Sequence, residues 1–163
     1  MNWIKRILGL FRPRFRDHMG IRGECHIVLT HPDGSKEERL LINTVTELMD
    51  AHVADQMSDS GDAGIGWIAV GTGTGQGSAS TGLATSLDRN ALTSTTQGAG
   101  GADNDVIYVG DWAAGDGTGS ITEAGVFLSD NNTTMMLYSS FSVITKGASD
   151  TLSVTWTGTF GAS

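Results

Sequence analysis

The stretch SITEAGVFLSDNNTTMMLYSSFSVITKGASDTLSVTWTGTF, residues 120–160, decides the fold. Read in steps of two, Leu152, Val154, Trp156 and Phe160 fall on one face of an extended ribbon with Gly158 between them, while Thr151, Ser153, Thr155, Thr157 and Thr159 fall on the other. One face is core and one is wet. Burying four such side chains at about 1.5–3 kcal/mol each gives roughly 6–12 kcal/mol of gross stabilisation. A one-residue slip would exchange that face for hydroxyls, so the register is fixed. Upstream, Leu137, Phe141 and Val143 alternate with Tyr138, Ser140 and Ser142, and the polar segment from Lys146 to Asp150, carrying Gly147, predicts a hairpin turn into the last strand. Ile121 to Leu128 predicts a third strand, released into the turn Asp130-Asn131-Asn132.

Working outward, 163 residues fit one domain with room for a core. Glycine is abundant at 23 residues, proline scarce at 2, and charged residues make up only 17%, a balance that suits many turns and hydroxyl-rich strand faces. Such surfaces are common in proteins that bury area against neighbours. The lone cysteine, Cys25, excludes an internal disulfide and reads as a strand residue. The net charge of -8 is split: residues 1–23 hold six bases against Asp17, a net of +5, and the remainder holds four bases against 17 acids, a net of -13. An acidic body does not attract phosphate, so no direct nucleic-acid recognition is expected of it.

Three pieces of the chain carry a resemblance. They are AVGTG (Ala69 to Gly73), EAGVF (Glu123 to Phe127) and KGASDTLSVTW (Lys146 to Trp156). In this order they resemble a family of small tailed-phage virion proteins, described as structural, decoration or fibre components, over roughly Asn43 to Phe160. The resemblance implies a virion setting and carries over no catalytic residue.

The first eighteen residues, MNWIKRILGLFRPRFRDH, form the one basic, helix-periodic segment. Trp3, Ile4, Ile7, Leu8, Leu10 and Phe11 can cover one side, Lys5, Arg6 and Arg12 lie off it, and Pro13 stops the pattern. A signal peptide fits poorly, since Lys5 and Arg6 break the apolar run and no small-residue cleavage site follows. A membrane span is excluded by length, whereas a membrane-surface helix is physically allowed. The preferred reading is an assembly arm, residues 1–22, whose Trp3, Lys5, Arg6, Ile7, Leu10, Phe11, Arg12, Arg14 and Arg16 contact another virion protein.

The body, residues 23–163, opens with a weakly alternating strand from Gly23 to Thr30, a turn at His31-Pro32-Asp33-Gly34, and a return strand from Lys36 to Ile42. Asn43 or Thr44 is expected to cap a helix, with Glu47 in capping-box position and Val45, Leu48, Met49, His52, Val53 and Met57 as its apolar stripe. Ile65 to Val70 predicts a buried strand that runs into the glycine-rich 71–80, expected to be a flexible loop; neither the Walker nor the dinucleotide glycine pattern fits it. Residues 81–90 read as a turn of helix or an extended connector, 91–96 as a polar strand, and 105–112 as a strand with Val106, Tyr108 and Gly110 on one face. Loops fill 97–104 and 113–120.

Chemistry has few candidates. His26 and His31 with Asp33 could form a metal trio, and Asp59 with Asp62 could meet calcium, but a strand or turn histidine and a plain acidic loop are the expected readings. Glu123 and Asp111 are the best carboxylate pair on offer for glycoside chemistry, and Glu123 is expected instead to hydrogen-bond a neighbouring loop. Tyr108 and Trp112, beside glycine-rich loops, are receptor or glycan candidates whose competing reading is core or subunit interface. The combined expectation is an all-β, jelly-roll-like sandwich of about eight strands with one internal helix and a basic amphipathic arm. It needs no cofactor or metal and performs no catalysis. Its expected role is that of a capsid decoration or cement protein, a homotrimer bound to the major capsid protein or another virion protein at the phage head surface, away from membranes. The alternative is a fibre or tail-tip component that contacts a host receptor.

Overall fold

The structure is a computed structural model that describes residues 19–58 and 63–162. In chain order the elements are β1 (Met19–Thr30), β2 (Lys36–Ile42), β3 (Thr44–Val45), α1 (Glu47–Ser58), β4 (Trp67–Gly71), β5 (Ser86–Ala91), β6 (Ser94–Gln97), β7 (Asp105–Trp112), β8 (Gly119–Phe127), β9 (Met135–Lys146) and β10 (Thr151–Ala162). They form two antiparallel five-stranded sheets, sheet A in the order β2-β1-β10-β7-β6 and sheet B in the order β3-β9-β8-β4-β5. Alternation explains the layering: Cys25, Ile27 and Leu29 of β1 and Leu152, Val154 and Trp156 of β10 point inward to meet Ile68, Val70, Val126 and Ile144 of sheet B. The result is an all-β sandwich.

The last strand has the predicted faces, and it lies at the centre of sheet A between β1 and β7. Its predecessor β9 belongs to sheet B, so the expected hairpin at Lys146 to Asp150 is instead a corner between sheets. The reason is a buried tether. Lys146, 1% exposed, donates from Nζ to the carbonyl oxygens of Ala113 (3.0 Å) and Asp150 (2.7 Å). Asp150 in turn accepts from the Gly147 amide at 2.7 Å and bonds His31 Nδ1 at 3.0 Å. A register shift also corrects the reading of β9: Ile121 pairs with Ile144 and Glu123 with Ser140, so Thr122 alone opposes residues 141–143 and Val143 turns out to solvent.

The helix starts later than its sequence suggests. Thr44 and Val45 pair with Tyr138 and Leu137 as β3, and Thr46 becomes the cap. Its hydroxyl donates to the carbonyls of Met135 (2.6 Å) and Met136 (3.0 Å), which hangs α1 from β9. The apolar stripe faces the core through Met49, with Leu48 and Val53 packed beside it, while Met57 is exposed. Residues 86–90, read as part of a connector, and Ala91, read as the start of a polar strand, form β5 against β4; with β3 this raises the described strands to ten. Residues 19–22, expected in the arm, are strand and pair with 159–162. The rest of the arm, including every one of its predicted contact residues, lies outside the described residues.

Candidate functional site

The two sheets treat their outer faces differently. On sheet B, Ala69, Phe127, Met135 and Tyr138 form a second apolar cluster that points away from the main core. Residues 72–85 fold over it, with Leu83 as the plug. Their anchor is Glu123, 0% exposed. Its Oε1 accepts from the amides of Gly73 (3.0 Å) and Thr85 (2.9 Å), and its Oε2 from that of Ala84 (3.2 Å). Hydrogen bonds to an ionised acceptor are the strong kind, and three of them satisfy a carboxylate removed from water. The expected loop contact of Glu123 is therefore what the structure has.

Close approach explains the glycines. A Cβ on Gly71 would lie 2.6 Å from Glu123 Oε1 and one on Gly73 would lie 2.7 Å from it, so AVGTG and EAGVF are the two halves of one clamp. The loop expected to be flexible is fastened further: Asn132 brackets Leu83 through its backbone amide and carbonyl at 3.0 Å each, and Thr122 Oγ1 donates to Gly73 O at 2.7 Å. Arg89 stacks over Phe127 at 3.9 Å, and its burial lowers the guanidinium's pKa from the ordinary value.

Sheet A has no such cover among the described residues. Leu40 and Ile42, 70% and 76% exposed, stand two residues apart on β2, which places both side chains on one face. Leu40 is in register with His26 and Ile42 with Glu24. A shallow cavity of about 520 Å³ lies between Leu40, His26, Glu24, Glu38, Thr155 and Thr157. His26 Nε2 meets Glu38 Oε2 at 3.2 Å. This face combines a wet hydroxyl strand with an apolar edge.

The aromatic candidates take the core reading. Trp112 is 1% exposed and Tyr108 6%, both packed in the main cluster, with an edge of Tyr108 on the groove beside α1. Burial raises the Tyr108 hydroxyl's pKa above its ordinary value. Asp111 is on sheet A and Glu123 beneath the loop on sheet B, so the carboxylate pair is not brought together. His26 and His31 engage separate acids, Glu38 and Asp150, and among the described residues no three His, Cys, Asp or Glu gather at metal-binding range. Asp59 and Asp62 lie outside the described residues. No described helix is long and apolar enough to cross a membrane.

Leu40 and Ile42 were missed in the sequence. The signal was there: Leu40, Leu41 and Ile42 run consecutively, and a strand cannot turn three neighbours to one core. No family model matches this chain, and neither the curated proteins nor the solved structures yield a match.

Proposed function

We propose that this protein is a non-enzymatic structural component of a phage virion, a decoration or cement protein that caps the outer head shell. The open face of sheet A carries the reading: two large aliphatic side chains beside a row of threonines make a surface suited to a neighbouring subunit. The neighbour is a second copy of this chain; in the proposed homotrimer each copy presents this face to a different patch of the next, and the basic segment at residues 1–18 ties the trimer to the major capsid protein. The motif residues Gly71, Gly73, Glu123 and Lys146 are all occupied in holding loops and corners, which leaves the sheet face and the arm for partners.

The jelly-roll reading rests on the first and last strands lying side by side in one sheet; the hairpins β1-β2, β4-β5, β6-β7 and β8-β9, each within one sheet, depart from that wiring. The burial of Trp112 and of most of Tyr108 favours the decoration reading over the receptor-binding alternative. Quantitative mass spectrometry of purified particles tests the assignment. A copy number close to that of the major capsid protein is expected, and a few dozen copies or fewer would move the protein to the tail.

A further inference from the structure

A groove of about 490 Å³ opens where α1 fails to seal the sandwich, between Met49, His52, Val53 and Met57 of the helix and Tyr108 and Phe160 of sheet A. Its wall is apolar, Met57 is 75% exposed beside it, and the buried His52 has an Nδ1 without a hydrogen-bond partner. We propose that this groove seats the chain's own N-terminal segment, with Trp3, Ile7 and Phe11 as the inserted side chains. Three observations single out that occupant. The chain enters the body at the groove's rim, because Ile21 of β1 is in register with Phe160. The seven residues 12–18 span at most about 25 Å, so the segment reaches its own groove without strain. Charge matches as well: residues 1–23 carry +5, whereas α1 holds Glu47, Asp50 and Asp55 and no lysine or arginine.

The recognition mode is an amphipathic segment laid in an apolar groove, with anchors at spacings of four. Residues 59–62, Asp-Ser-Gly-Asp, are nearer in sequence but offer no apolar side chain. Seated there, the segment hides its apolar side and turns Lys5, Arg6 and Arg12 out of the groove, near a helix that carries acids and no lysine or arginine. The arm is thereby stored on the body until a partner surface draws it away. This inference concerns the chain alone and stands apart from the virion assignment.

Disulfide trapping in the full-length chain tests it. Ile7→Cys combined with Met57→Cys should form an intrachain bond, on the order of tenfold faster than Ile7→Cys combined with Leu40→Cys on the far sheet face, since docking raises the effective concentration of the pair. Met57 and Leu40 are exposed, so both substitutions leave the core intact. Cys25 stays silent because burial pushes its thiol pKa up. Bonds that form only between chains would assign the groove to a second copy and overturn the proposal, as would equal rates for the two pairs. In hydrogen exchange, residues 3–11 should be protected in the native chain and lose that protection in Val53→Asp with Met57→Asp; identical exchange in both would also overturn it.

Discussion

The outer face of sheet B is closed by the chain itself, whereas among the described residues the outer face of sheet A is left open. Both sheets have five strands and contribute to one core. On sheet B, a buried carboxylate and an asparagine clamp residues 72–85 over Phe127 and Met135. On sheet A, Leu40 and Ile42 stay in solvent beside Thr155 and Thr157. The chain covers the apolar outer cluster of sheet B with its own loop, while among the described residues the two aliphatic side chains at the edge of sheet A stay uncovered. Burying an acid is costly unless its lone pairs are satisfied; Glu123 meets that condition with three amides. No comparable device is found on sheet A among the described residues.

The comparison can be broken at several points. The largest effect is expected within sheet A itself, where Trp156→Ala on the inner face should cost about 3–5 kcal/mol, read by urea unfolding; a value near zero would contradict the register of β10. Next, Glu123→Gln places an amide nitrogen where an acceptor is needed and strands one backbone donor, for about 1–3 kcal/mol. Limited proteolysis should then cut within 72–85, and a native cleavage pattern would show that the clamp does not hold the loop.

A smaller effect belongs to the corner that joins the sheets. The Gly147 amide and then His31 hold the Asp150 carboxyl below its usual pKa. A carboxylate whose folded pKa is depressed stabilises fully above its unfolded value, about 3.9, and loses that contribution as pH falls through the folded pKa. The native chain should therefore weaken below about pH 4, and Asp150→Asn should be less stable at neutral pH with a shallower decline in that window. Parallel curves for the two proteins would exclude the corner as a source of acid sensitivity. The smallest effect on stability is expected on the open face, where Leu40→Ser with Ile42→Ser should change the unfolding free energy of the protomer by no more than about 0.5 kcal/mol.

Much of the sandwich is legible in the sequence because period-2 alternation is a local signal. Leu152, Val154 and Trp156 report their own face, and Val106, Tyr108 and Gly110 report theirs. What the alternation does not encode is the partner strand. β10 looks like the second half of a hairpin, yet it pairs with β1 and β7 in the other sheet, and the corner is tied by the buried Lys146, a residue that reads as turn surface. Thr44 resembles a helix cap because its spacing to Glu47 is right, yet β9 claims it as a strand residue, a tertiary preference with no local trace. The clamp was half legible: Glu123 in an apolar strand called for a hydrogen-bonding partner, whereas the glycines of 71–73 looked like flexibility until the carboxylate above them gave a reason for their missing side chains. The open face was legible only in Leu40-Leu41-Ile42, a run too short to announce itself.

The central claim is that sheet A's outer face is an interface between copies. Sedimentation equilibrium of the full chain beside the Leu40→Ser, Ile42→Ser variant addresses it directly. The account predicts a self-associating native chain and a variant whose association is weaker by at least about tenfold, equivalent to 1.4 kcal/mol, with unchanged protomer stability. Equal association of the two chains, or a native chain that stays monomeric at every concentration, would contradict it.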